Sequence, residues 1–125
     1  MTLTTLLLLV GLEFKHYLFD FVYQTPYQLR NKGIYGHPGG LLHSGLHAAG
    51  TFLLLVLLSV QADIAAFIAA GEFVAHYHLD WAKEQVARFS EGKDESWFWR
   101  MTGLDQFLHH VTYVAVCAIA LIANS

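Results

Sequence analysis

Each long apolar stretch of this chain carries, near one end, two ionisable residues spaced four apart. The pairs are His16 with Asp20, His43 with His47, His76 with Asp80, and Asp105 with His109. Residues at that spacing share one face of a helix, about 6 Å apart along its axis. An ionisable group on an apolar helix is costly unless it faces a bundle interior and finds a partner there. The fold that satisfies all four faces together is a bundle of four helices turned towards a common polar centre.

Composition sets the surroundings of that bundle. The chain is 55% hydrophobic and only 14% charged, with a mean hydropathy of +0.42. That is too oily for an ordinary soluble domain, and 125 residues argue for one domain spanning 1–125. The net charge of −3 leaves out eight histidines, and no basic run points to nucleic acid. The single cysteine, Cys117, excludes an internal disulfide and any multi-cysteine zinc or iron–sulfur motif. It lies in an apolar stretch and reads as a small core or lipid-facing residue.

The first ten residues look like the apolar core of a signal peptide. They lack a basic leader and a small-residue cleavage site, and the apolar pattern continues to Val22. A retained transmembrane helix over about 3–23 is expected. Residues 25–40 read as a loop, broken by Pro26, Gly33, Gly36, Pro38, Gly39 and Gly40. Further helices are expected over about 41–60, 64–89 and 101–123. Residues 61–63 form a tight turn with Asp63 as N-cap. Trp97, Phe98 and Trp99 read as an interfacial aromatic belt before the last helix.

The pattern predicts an all-α, integral membrane four-helix bundle, up-down-up-down. Arg30 and Lys32 lie in one long loop, and Lys83, Arg88, Lys93 and Arg100 lie around the other. The termini and the 61–63 turn carry no lysine or arginine. By the positive-inside rule both long loops are cytoplasmic and both termini face away. All four ionisable pairs then fall in one leaflet, at similar depth.

Each pair extends into a stripe. Glu13, His16, Asp20 and Gln24 fall within a narrow arc, while Lys15 points away from it, to snorkel or to pair with an acid on another helix. His43 and His47 share a face with Gly50, which permits close approach. Glu72, His76, Asp80 and Lys83 line the third helix, and Asp105, His109 and Thr112 the fourth. His37, His78 and His110 lie off these faces and are not expected among the ligands. Histidine nitrogen with aspartate oxygen suits a divalent transition metal, zinc first and iron or manganese next; the lack of thiolate argues against copper(I). Eight ligands exceed the needs of one ion. Either two ions bind, or half of the groups orient the rest and supply a general base. Glu13 with His16 also forms one Glu-x-x-His pair, of which soluble di-iron bundles carry two. A polar network with no metal is the bland alternative.

The ordered set His16-Tyr-Leu-Phe-Asp20-Phe21-x-x-Gln24, His43-x-x-x-His47, His76-x-x-x-Asp80-x-x-Lys83 and Asp105-Gln106-x-x-His109 resembles a small bacterial and phage membrane protein family catalogued as a domain of unknown function. The resemblance covers nearly the whole chain. It implies a multi-pass protein of the bacterial inner membrane and no established activity. Glu13, Lys15 and Glu72 lie outside its pattern. The His-x-x-x-Asp helices are also similar to those of the bacterial membrane-bound metal-dependent hydrolases.

Three functions fit these residues. The first is a metal-dependent hydrolase acting on a lipid or other amphiphile at the cytoplasmic interface. Asp20 or Asp80 would be its general base. Lys83, with Arg30, Lys32 or Arg100 at the rim, would hold an anionic headgroup. The second is a non-enzymatic accessory subunit of a larger membrane complex, or a homo-oligomer. Small residues on the second and third helices would pack against its partner. The third is a di-iron or haem redox protein, or an ion transporter.

Overall fold

The computed structural model describes residues 2–90 and 92–123, which form helices and no strands. Helix α1 runs Leu3–Tyr17, with Thr2 as N-cap accepting the Thr5 N–H at 3.2 Å. It passes without a break into a π-helical turn, Leu18–Val22, which carries Asp20. Such turns insert extra chain into a helix and are frequent at functional sites.

Residues 25–40 are not simply a loop. A short helix, α2, spans Pro26–Asn31, and α3 already begins at Pro38 and runs to Leu57. Both prolines stand at the start of a helix, where the missing N–H costs nothing and the fixed φ favours helical geometry. Thr25 and Gln28 form a reciprocal capping box on α2, and the His37 side chain accepts the Gly39 N–H at 3.0 Å to cap α3. Gly39 and Gly40 act by being small. A Cβ on Gly39 would meet Asn31 Cβ at 2.9 Å and the Tyr27 carbonyl oxygen at 3.0 Å, so these glycines let α2 lie tightly on α3.

Helix α4 spans Ala62–Arg88. Its N-cap is Gln61 rather than Asp63, because the chain turns earlier, where Ser59 adopts φ 66°. Asp63 instead sits in the first turn, where a carboxylate suits the helix dipole. Helix α5 spans Glu95–Ala123 and takes in the aromatic cluster that the sequence pattern leaves before it. Asp94 drives that early start: its carboxylate accepts the Trp97 N–H at 3.0 Å and the Ser96 hydroxyl at 2.9 Å.

The long helices close a ring: α1 packs on α3 and α5, α3 on α4, and α4 on α5. The ring's interior is divided along its length. One half is apolar, built from Leu8, Leu12, Leu55, Ile68, Val116 and their neighbours. The other half, towards the 23–37 and 89–94 connections, is filled by histidine, aspartate and lysine. The outside is oily: Phe14, Phe67 and Val114 are 60%, 77% and 58% exposed. Helices α3 and α5 are long and apolar enough to cross a membrane, and only 33% and 28% of their apolar stretches are buried.

Candidate metal centre

The polar half begins with a buried ion pair at its border with the apolar half. Lys15 does turn away from its helix's histidine face, and it meets Glu72 of α4. Its ammonium lies 2.5 Å from Glu72 Oε1, 2.8 Å from the Thr51 hydroxyl and 3.0 Å from the His47 carbonyl oxygen. Gly50 makes room for it, since a Cβ there would lie 2.8 Å from Lys15 Cδ and 3.1 Å from Phe19 Cε2. One apolar-to-polar step along the ring is therefore fixed by three helices at once.

Beyond that pair the ionisable faces converge. Asp20 Oδ1 lies 3.0 Å from both His43 Nε2 and His47 Nε2. His43 Nε2 is also 3.2 Å from His76 Nε2 and 3.2 Å from Asp80 Oδ2. His47 and His76 stack with ring centroids 3.9 Å apart. Asp80 Oδ1 faces His109 Nε2 at 3.6 Å. His43, His47, His76 and His109 are all at most 1% exposed.

No hydrogen-bond assignment satisfies this arrangement. A neutral imidazole carries one N–H. His43 Nε2 faces three polar atoms within 3.2 Å and can donate to one of them. Meanwhile His47 Nδ1, His76 Nδ1 and His109 Nε2 are buried without a hydrogen-bond partner among the described residues. Buried orphans of this kind are costly and rare, and a cluster of them calls for an explanation.

The donor atoms fall into two groups that share His76. Asp20, His43, His47 and His76 form one, and His76, Asp80 and His109 form the other; within each, the atoms lie within 4.8 Å of one another. A four-coordinate ion with bonds near 2.0–2.1 Å spaces its donors about 3.3 Å apart. Within the four-donor group, Asp20 Oδ1 lies 3.0 Å from His43 and His47 and His43 lies 3.2 Å from His76, close to that spacing, and the nitrogen and oxygen donors suit zinc, iron or manganese.

Two of the eight sequence candidates stand beside these groups rather than in them. His16 is engaged at both ring nitrogens: Nε2–H donates to Gln106 Oε1 at 2.9 Å, and Nδ1 accepts from the Tyr113 hydroxyl at 3.0 Å. Its Nδ1 is also 3.3 Å from Asp20 Oδ2, a contact that becomes an ion pair only when the imidazole carries a second proton. Asp105 lies against His109, with Oδ1 3.5 Å from Nδ1, and Oδ1 has no hydrogen-bond partner among the described residues. Lys83 is at the rim, 3.8 Å from Asp105 and about a third exposed. Thr112 turns back to the Leu108 carbonyl oxygen and takes no part. His37, His78 and His110 also lie elsewhere, on Gly39, on Tyr35 and the Val74 carbonyl, and on Glu13.

The structure adds residues that pattern reading passes over. Lys32 is not a rim group but 5% exposed, with Nζ 3.3 Å from Asp80 Oδ2. Burial alone would lower its pKa; Asp80, with Asp20 and Glu84 behind it, outweighs burial and holds it above the usual lysine value. Only the fold of α2 on α3 reveals this. Tyr113 was within reach of the sequence, because it continues the four-residue spacing of Asp105 and His109.

An all-helical chain with a buried histidine–aspartate cluster at one end of its bundle is the class that fold and site define. The family described as "Protein of unknown function (DUF3307)" matches residues 3–125, and the chain belongs to it. No curated protein and no solved structure matches the chain.

Proposed function

We propose that this protein is an integral membrane metalloenzyme: a metal-dependent hydrolase acting on an amphiphile at the cytoplasmic interface. The observation that carries this reading is His43 Nε2, which faces Asp20, His76 and Asp80 within 3.2 Å and has one proton to share. A bound cation relieves that conflict and draws on the orphaned nitrogens nearby.

A membrane setting is supported by the exposed apolar exterior and by the low burial of α3 and α5. In this reading α1 and α4 span as well, in up-down-up-down order. The end that carries Arg30, Lys83, Arg88 and Lys93 faces the cytoplasm of a bacterial cell.

The two donor groups share His76, and its Nε2 serves one ion at a time. The other donors of the four-donor group, Asp20, His43 and His47, hold one ion. Assigned to Asp80 and His109, His76 completes a set of three protein donors for the second ion, which leaves one position for water or substrate and makes that group the catalytic half. A divalent ion there supplies Lewis-acid activation of water at neutral pH. With Asp20 and Asp80 committed as ligands, Asp105 is the nearby carboxylate with an uncommitted oxygen, and it serves as general base.

Elemental mass spectrometry on detergent-purified protein tests the reading, with wild type beside His47→Ala and Asp80→Ala. Near-stoichiometric zinc, manganese or iron, lost in both variants, together with chelator-sensitive phospholipid turnover, is the expected result. Folded protein that takes up no metal would overturn it in favour of an accessory subunit. A visible band that follows iron would replace hydrolysis with redox chemistry.

A further inference from the structure

His16 of α1 is clamped between two side chains of α5, Gln106 and Tyr113. Its Nε2 lies 2.9 Å from Gln106 Oε1, and its Nδ1 lies 3.0 Å from the Tyr113 hydroxyl. The other end of the Gln106 amide reaches its chain neighbour, with Nε2 3.1 Å from Asp105 Oδ2. Tyr113, His16, Gln106 and Asp105 therefore form one hydrogen-bonded row beside the two donor groups.

The row has a single direction, and Asp105 sets it. A carboxylate only accepts, so Gln106 turns its NH2 group to Asp105 and its carbonyl oxygen to His16. That oxygen also only accepts, which puts the imidazole proton on Nε2. Nδ1 is then bare, and the Tyr113 hydroxyl, which can turn either way, donates to it. Asp20 acts against this order. Its Oδ2 lies 3.3 Å from His16 Nδ1, and its charge draws a proton towards that nitrogen. Gln106 Oε1, nearer to the ring and in hydrogen-bond contact with it, decides the contest. The same amide occupies Asp105 Oδ2, while Oδ1 has no hydrogen-bond partner among the described residues.

We infer that Gln106 is a positioning residue for the metal centre: its amide holds the His16 proton on Nε2, away from Asp20, and leaves Asp105 with Oδ1 alone to accept a proton. Asp20 thus keeps its charge for an ion, and His16 has no nitrogen free to compete for that ion. This inference rests on the hydrolase reading for the roles of Asp20 as ligand and Asp105 as base. The direction of the row depends on neither metal nor turnover.

Nitrogen NMR of the full chain with isotope-labelled histidine, in detergent micelles and mildly alkaline buffer, tells Nε2–H from Nδ1–H at His16. The signal is assigned by its loss in His16→Gln. Nε2–H is expected in the wild type and in Gln106→Glu, where a carboxylate oxygen still accepts from the ring. Gln106→Met keeps a similar size and removes the acceptor, so His16 should move to Nδ1–H. Tyr113→Phe should leave Nε2–H in place, because the hydroxyl follows the tautomer and does not set it. Competition against a chelating dye should show zinc held about tenfold more weakly by Gln106→Met than by wild type, the scale on which outer-shell partners act. Nδ1–H in the wild type, or a tautomer unchanged in Gln106→Met, would overturn the inference and leave Gln106 as packing. Zinc-loaded protein whose His16 tautomer ignores residue 106 sinks this inference alone. A tautomer that follows residue 106 in protein that takes up no metal sinks the hydrolase reading alone.

Discussion

Asp20 Oδ1 stands 3.0 Å from His47 Nε2, although the helix that carries Asp20 leaves the α register right after Tyr17. The π-helical turn brings one carboxylate oxygen to two histidines of α3 at once. Asp20→Asn keeps the shape of that contact, and an amide oxygen still accepts a hydrogen bond. It removes the negative charge that a cation needs. The four-donor group should lose affinity for zinc by at least about tenfold, a scale at which even outer-shell changes act. Competition against a chelating dye reads this directly, and unchanged affinity would remove Asp20 from the ligand set.

The Lys15–Glu72 pair makes a prediction about stability rather than metal. Both residues are buried, at 6% and 2% exposure, so losing one partner strands a charge. Lys15→Met or Glu72→Gln alone should each be strongly destabilising, on the order of 3–5 kcal/mol for Lys15→Met, where the carboxylate is left alone. Lys15→Met combined with Glu72→Leu should recover most of that loss, because an apolar pair can replace a buried ion pair. Denaturation in mild detergent would show it; additive losses in the double variant would contradict the pairing.

How much of this was legible in the sequence follows from what periodicity can encode. The four stripes were visible because a four-residue spacing on an apolar helix has one geometric meaning. The partner of Lys15 was visible only as an acid on some other helix, since periodicity orients a face and does not name what it meets. Residues 25–40 look like a loop in the sequence because proline and glycine carry opposite meanings inside a helix and at its start, and Pro26 and Pro38 both stand at starts. A loop there places Lys32 at the rim, whereas α2 carries it to Asp80. The π turn left no signature in the spacing at all: His16 and Asp20 keep a four-residue separation across it.

Asp94 should govern the start of α5. Its pKa is lowered by the Trp97 N–H first and the Ser96 hydroxyl second. A depressed carboxylate contributes stability above its ordinary pKa, and that contribution is lost as pH falls through the lowered folded value. Protection of the Trp97 amide from hydrogen exchange should therefore be full at neutral pH and fade only in acid. Asp94→Ala should remove the protection at every pH while metal content stays unchanged. If the amide exchanges equally slowly in the variant, the cap is not what starts this helix early.

Lys32 links the charge of the cluster to its occupancy. Its ammonium sits 3.3 Å from Asp80 Oδ2, the carboxylate shared by the approach of His43 and His109. A cation bound by Asp80 and the ammonium compete for the same negative charge. Lys32→Met should therefore strip the metal-free protein of a buried counter-charge and lower its melting temperature. Metal binding should at the same time tighten, because the repelling charge is gone. By linkage, a ligand that binds only the folded state stabilises it in proportion to the logarithm of its concentration over Kd. The gap in melting temperature between zinc-loaded and metal-free protein should then widen in Lys32→Met relative to wild type. A gap that stays the same would mean that Lys32 and the ion do not share Asp80. A gap that narrows would mean that Lys32 helps to hold the ligands in place for the ion, with its repulsion a smaller effect.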